Sequence, residues 1–320
     1  MGFDVAIVGA GVIGASAAFH LAERGFRVAL ISDGKPGASA AAAGMLSPSF
    51  EIGHDAADPA YAAMMQEGLS VWGAFAERLS SDPYKDFGYH RRGVYGIGYH
   101  AVPQGAEPVT TSPLGSFARQ PSAFSPHEGC VEPLDFIRHL MKAAEEHGAD
   151  IQTGTAELSG DELSVGGTKV DAEHIVLAAG AGAQGAAKGM QAVRGAAFVV
   201  QLPGGAKAHV PTVVRSPTVY FAPRRDGRLY IGATEEWPGA IAGTADELWR
   251  DAVRLLPVLH DADDVHEVSG LRPFLRRGGP LIQRDRERFR LVRAQGHHRN
   301  GVLLAPLTAN RLEQIILGHG

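Results

Sequence analysis

Phe3-Asp4-Val5-Ala6-Ile7-Val8 is mostly apolar and β-branched without strict alternation, the pattern of a strand covered on both faces. It runs straight into Gly9-Ala10-Gly11-Val12-Ile13-Gly14, then into an alanine-rich helix, Ala15 to Arg24, with Gly25 as C-cap. A second apolar strand follows from Phe26 to Ile31. Pro59 to Leu79 has the apolar spacing of an amphipathic helix, with Trp72 and Phe75 toward a core, and Gly93 to Tyr99 alternates like a strand. Residues 101–129 are rich in Pro, Ser and Gly and predict an irregular connection. Leu134 to Gly148 reads as a helix and Ala149 to Thr155 as a strand, followed by turns at Gly160-Asp161 and Gly166-Gly167. Glu173 to Ala178 is a further buried strand, ending in the small-residue turn Ala179 to Gly182. Gly195 to Leu202, Val219 to Pro223 and Arg228 to Ala233 read as strands. Thr244 to Leu259 reads as a helix with a capping box, Thr244 and Glu247. Arg290 to Ala294 predicts a strand, Gln295 to Gly301 a loop, and Pro306 to Leu317 a closing helix.

Strands with helical crossovers thus lie at the start, middle and end, with antiparallel-looking strands between them. The pattern predicts an α/β fold: a Rossmann-like nucleotide lobe from discontinuous segments, 1–50, 130–188 and 265–320. Residues 51–129 and 189–264 would form an α+β substrate lobe with a mostly antiparallel sheet. Within the first lobe, strand, glycine turn, helix and strand follow one another in about 30 residues, the demanding context for a dinucleotide fingerprint. Gly9 permits the tight turn, Gly11 lets backbone approach a pyrophosphate, and Gly14 lets helix and strand pack closely. The helix N-terminus, at Val12 and Ile13, offers N–H groups and partial positive charge to phosphates. Ser32 closes the second strand where an acidic residue usually takes the ribose hydroxyls, and Asp33 follows it. Either residue could contact the ribose, or Asp33 simply opens the turn Asp33 to Gly37.

Composition narrows the field. A chain of 320 residues with 45% hydrophobic content can bury a large core in two lobes. A net charge of −5 gives no electrostatic reason to expect nucleic acid or an anionic membrane. The single cysteine, Cys130, excludes an internal disulfide and a Cys-based zinc site, and suits a reducing cytoplasm. The N-terminus lacks a basic n-region, and no apolar run approaches the ~20 residues of a membrane span. These features predict a soluble cytoplasmic protein, with homo-oligomerisation left open. From residues alone the chain is a dinucleotide-binding protein, and a nicotinamide-dependent dehydrogenase or a nucleotide-binding protein without catalysis both fit it.

Small residues from Ala38 to Gly44 would let backbone lie against a flat, bulky ligand. Ser39-Ala40-Ala41-Ala42-Ala43-Gly44-Met45-Leu46, Val176-Leu177-Ala178-Ala179-Gly180-Ala181 and Tyr220-Phe221-Ala222-Pro223-Arg224 form a set. Gly232-Ala233-Thr234, Gly270-Leu271-Arg272-Pro273 and Gly296-His297-His298-Arg299-Asn300-Gly301-Val302-Leu303-Leu304-Ala305-Pro306 complete it. Together these motifs resemble the D-amino acid oxidase family of flavoproteins, most closely its glycine-oxidising members, which serve thiamine biosynthesis. The resemblance fades over 85–129. Gln283 stands for a usual glycine, Gln295 for a usual threonine, and Arg276-Arg277 for a turn that normally carries an acid.

The resemblance implies noncovalent FAD, because the sole thiol does not match the cysteine that tethers flavin in related sarcosine oxidases. It implies FAD contacts from Gly9, Gly11, Val12, Ile13, Gly14, Ser32, Asp33, Ser39, Ala42, Ala43, Gly44, Met45, Glu157, Ala179, Gly180, His298, Arg299, Asn300, Gly301, Val302 and Leu303. It implies hydride transfer from Cα of a small amino acid or amine to flavin N5, imine hydrolysis, and O2 as electron acceptor. Arg272, in a Gly270-Leu271-Arg272-Pro273 turn, would bind the carboxylate through its planar fork, Arg299 in the loop before the last helix would support it, and the Tyr220 hydroxyl would close the other side. Sarcosine, small D-amino acids and a dehydrogenase mode remain alternatives within the family. Read without the resemblance, the arginines could be surface charges and Tyr220 a core aromatic.

Overall fold

The computed structural model describes residues 2–35, 37–52, 58–99, 101–111, 113–114, 122–182, 186–239, 243–276 and 279–318. Its first large sheet has the order Leu281–Arg284, Leu291–Gln295, Ala172–Leu177, Phe3–Val8, Val28–Ser32, Asp150–Thr153. All neighbours are parallel except the edge strand Leu281–Arg284. The apolar runs read as both-face-buried are the central strands here, since crossover helices cover such a sheet. The opening helix, Val12–Glu23, packs with Pro133–Glu146 and the closing helix, Gly301–Ile316. Phe19, Trp72, Phe75, Phe136 and Leu304 meet in one core with no more than 1% exposure each. The helix Pro59–Leu79 takes the predicted bounds and sends Tyr61, Met65 and Trp72 into that same core.

The second sheet has eight strands: Asp263–Phe274, Gln191–Gln201, Arg228–Gly232, Tyr220–Pro223, Val213–Arg215, Val94–Ile97, Ser122–Ser125, Glu107–Val109. Only the Val213–Arg215 and Val94–Ile97 pair is parallel. A separate three-stranded meander, Ala156–Ser159, Glu162–Val165 and Thr168–Val170, holds the two predicted turns.

Three expectations are corrected. The 101–129 stretch is not wholly irregular: it supplies the Glu107–Val109 and Ser122–Ser125 strands, though 112 and 115–121 lie outside the described residues. Gly270-Leu271-Arg272-Pro273 is not a turn but the end of the strand Asp263–Phe274, which crosses the expected boundary at 265. This strand is at the sheet edge, where Pro273 can sit without costing a ladder bond. The closing helix starts at Gly301, five residues before Pro306. Proline inside it removes only the bond that would otherwise go to the carbonyl of Val302.

Candidate active site

At the glycine turn each residue has its own constraint. Gly9 has φ 107°, and a Cβ there would stand 2.6 Å from the Ala178 carbonyl oxygen and 2.7 Å from Cα of Ala179. A Cβ at Gly14 would strike the Gly9 carbonyl at 1.7 Å, so close packing is what requires that glycine. At Gly11 a Cβ would meet only Ser39 Oγ, at 3.2 Å, leaving the rest of its surface open. The N-terminus of Val12–Glu23 has no side-chain cap and no acid in its first turn; Val12 N–H donates to Ser39 Oγ at 3.1 Å. Ser32 Oγ accepts from Gly34 N–H and Asp33 Oδ1 from Lys35 N–H, so both are engaged in the local turn. Gly180 follows the Ala172–Leu177 strand at φ 69°. Glu157 is exposed on the separate meander, opposite Ser164.

The small-residue segment is clamped between the two lobes. Its Ala38–Ala41 turn lies under Gly270, where a Cβ would come within 3.0 Å of Cα of Ala38. From the second sheet, Tyr230 donates its hydroxyl to the Ala41 carbonyl at 2.6 Å. Arg224 donates to the carbonyls of Ala42 and Ala43 at 3.1 and 2.9 Å, and its guanidinium lies 4.8 Å from the Tyr230 ring centre. Gly44 turns the chain away at φ 82°, against the Val131 carbonyl. Met45 pairs with Cys130 and packs against the apolar cluster that includes Tyr220 and Tyr230. Burial pushes the Cys130 thiol up to about 12, so it is an inert core residue rather than a reactive thiolate.

On the second sheet one row of side chains faces the same way, because directly paired residues share a face. Arg272 is registered with Val193, Gly195 with Gly270, Ala197 with Gly232, Gly232 with Tyr220, and Tyr220 with Arg215. The Arg272 guanidinium lies flat over Gly195, where a Cβ would stand 2.1 Å from Nη2. Tyr220 lies over Gly232 in the same manner, with a Cβ 2.3 Å from Cζ. Arg272 Nη1 donates to the Thr234 carbonyl at 2.9 Å. The sheet therefore presents a guanidinium and a phenol, the two groups expected to close on a carboxylate.

Arg299 comes from the short turn His298–Asn300 before the closing helix and joins an alternating chain of charges. Arg215 pairs with Glu51 at 2.6 Å, Glu51 with Arg299 at 3.3 Å, and Arg299 with Glu235 at 3.0 Å. His298 has φ 49° and packs its ring 5.0 Å from Phe274 and 5.9 Å from Trp237. Burial pushes His298 down to about 4, so its imidazole is neutral at pH 7. Asn300 donates to the Tyr61 hydroxyl at 2.8 Å, and Trp72 Nε1 donates to the Leu303 carbonyl at 2.9 Å. These bonds seat the start of Gly301–Ile316, whose first turn carries neither side-chain cap nor acid. A Cβ at Gly301 would lie 3.9 Å from Cγ1 of Val12, so the open ends of both helices converge.

The family model for FAD dependent oxidoreductases, DAO, matches residues 4–315. The chain belongs to this FAD-dependent oxidoreductase family. Glycine oxidase of Geobacillus kaustophilus is 34% identical over 352 residues, covering 96% of this chain and 90% of that protein. The bifunctional ThiO/ThiG protein of Synechocystis is 31% identical, covering 98% of this chain and 51% of its own length. The crystal structure of the Geobacillus glycine oxidase superposes with a TM-score of 0.85 at 29% identity, over 99% of this chain and 95% of that one.

The residues present fit the family's FAD. Two uncapped helix N-termini, an open Gly11 and a clamped small-residue backbone form a cradle that side chains would fill. The backbone at Gly11, Val12 and Ile13 could hold the pyrophosphate, and Ala42, Ala43, Gly44 and Met45 could flank the ring system. The N–H groups of Gly301, Val302 and Leu303 could stabilise negative charge on it. Sequence reasoning missed Glu51, Glu235, Arg215, Glu128 and the clamping roles of Arg224 and Tyr230. The available signal was a cation or acid on the inward face of an apolar strand, as in Val213-Val214-Arg215.

Glu128 is 1% exposed beside this cluster, accepting from Ser49 N–H at 2.6 Å. Burial pushes its carboxyl from the ordinary 4.5 up to about 7, with Arg215 opposing. A raised folded value means that the folded state holds a proton the unfolded chain releases, so stability falls as pH rises between about 4.5 and 7. Glu128→Gln keeps the acceptor and removes the titration. The loss of stability between pH 5 and 8, read by denaturant unfolding of the holoprotein, should shrink by about 2–3 kcal/mol. Parallel wild-type and variant profiles would contradict this assignment.

Proposed function

We propose that this chain is an amino acid oxidase acting on glycine or another small amino acid or amine, with O2 as electron acceptor and thiamine biosynthesis as its setting. The observation that carries the reading is the Arg272 guanidinium laid over Gly195, in one row with Tyr220 over Gly232. A planar fork beside a phenol suits a carboxylate, giving charge-assisted hydrogen bonds that fix the α-carbon. FAD, when bound, supplies the two-electron oxidation and the reaction with dioxygen. The protein's part is positioning: Arg272 and Tyr220 hold the carboxylate, and Met45 and Tyr220 limit the space beside it. Arg299 is tied to Glu51 and Glu235, so it acts on the substrate through those acids more than through its own fork. The amine must be neutral when hydride leaves Cα, so a substrate that binds as the ammonium first gives up one proton to water or to an adjacent carboxylate. The first sheet serves as the FAD lobe and the second as the substrate lobe in this reading. The glycine oxidase and ThiO/ThiG names of its relatives support both substrate and setting.

Measured under air with peroxide yield, kcat/KM should rank glycine or sarcosine above D-alanine, and D-alanine above D-phenylalanine. Each excluded methylene is worth only ~1–3 kcal/mol, so D-alanine should be poorer rather than inert. D-phenylalanine outperforming glycine would sink the small-substrate reading. Arg272→Lys keeps the charge and loses the fork, so kcat/KM should fall roughly 10²-fold, about 2.7 kcal/mol, with flavin content unchanged. Activity within about threefold of wild type would remove Arg272 as the anchor.

A further inference from the structure

We infer that Glu235 receives the ammonium group of the substrate while Arg272 receives its carboxylate, so that the site selects zwitterions over simple carboxylates. The inference rests on the amino-acid reading above and deepens it. Four charges alternate through the site as Arg215, Glu51, Arg299 and Glu235. Glu51 lies between two guanidiniums, at 2.6 and 3.3 Å. Glu235 ends the chain with one cation on Oε2, and its other oxygen faces the neutral His298 at 3.6 Å from Nε2. Its side chain is 23% exposed, against 6% for Glu51.

Arg272 is the matching cation without a direct carboxylate contact. Among the described residues no carboxylate stands within ion-pair distance of it, and its hydrogen-bond partner is the uncharged Thr234 carbonyl. Thr234 immediately precedes Glu235, so one peptide fixes this cation and the terminal anion of the series together. An amino acid carries one charge of each sign on a single carbon. Bound with its carboxylate on Arg272 and its ammonium toward Glu235, it completes both series, and the amine is oriented as well as the acid. A ligand with a carboxylate and no amine meets Arg272 but also the carboxylate of Glu235, whose cation Arg299 is shared with Glu51.

The test is the holoenzyme with glycine and acetate as probes, comparing the glycine KM with the inhibition constant of acetate; neither depends on the fraction of active protein. In Glu235→Gln the KM for glycine should rise about tenfold or more, from loss of a charge-assisted contact. Acetate should bind as tightly as before or more tightly, because a repelling charge is gone. These opposite responses cannot come from loosened packing, which weakens both ligands. Glu235→Asp keeps the charge and should hold the ratio within about threefold of wild type. Equal weakening of both ligands in Glu235→Gln, an unchanged glycine KM, or a Glu235→Asp ratio as altered as that of Gln would overturn the role of Glu235. A wild type that takes neither probe would overturn the amino-acid reading itself, and this inference with it.

Discussion

A side chain can lie flat on a β-sheet only where the strand beneath carries none. That constraint fixes this molecule at Gly195 and Gly232, over which Arg272 and Tyr220 are laid. Both groups are therefore placed by strand register rather than by flexible loops, which holds them to the tolerance that chemistry requires. Gly270, two residues before Arg272, serves the other lobe: its bare surface admits the Ala38–Ala41 turn. One strand thus seats the candidate carboxylate anchor and the segment that would flank the flavin. Tyr230 and Arg224 add three hydrogen bonds from the second sheet to the carbonyls of residues 41–43. In the proposed reading the spacing of flavin and substrate follows from this contact of the two sheets.

Electrostatics supplies the second constraint. Charges taken out of water are tolerated when each meets an opposite charge in good geometry, and breaking one such pair leaves the other stranded. The series Arg215, Glu51, Arg299, Glu235 meets that requirement internally. In the proposed reading Arg299, held between two acids, is a positioning residue, and Arg272 is the cation left for a ligand. The two helix N-termini contribute partial positive charge from the opposite side, so the cradle favours an anionic cofactor.

The nucleotide half was largely legible because its signals are local. Gly9, Gly11 and Gly14 act within one turn, and the apolar run Phe3–Val8 and the helix Pro59–Leu79 follow simple periodicities. Where local signals misled, tertiary structure overrode them. Gly270 and Pro273 suggested a turn, yet the pairing with Gln191–Gln201 extends the chain through both. Pro306 reads as a first-turn proline, yet the bonds from Tyr61 and Trp72 draw the helix back to Gly301. The charge series was legible only at single residues, Arg299 in its motif and Arg215 in its apolar strand, and its pairing was not. Its members, at 51, 215, 235 and 299, meet only once both lobes are assembled.

The glycine floor is the central claim, and Gly195→Ala tests it most directly. One methyl at this buried position would stand 2.1 Å from Arg272 Nη2 and must displace the guanidinium. Acetate affinity, read from perturbation of the flavin spectrum, should weaken about tenfold or more at unchanged flavin content. Acetate binding within twofold of wild type would show that Arg272 does not hold the carboxylate from its place over Gly195.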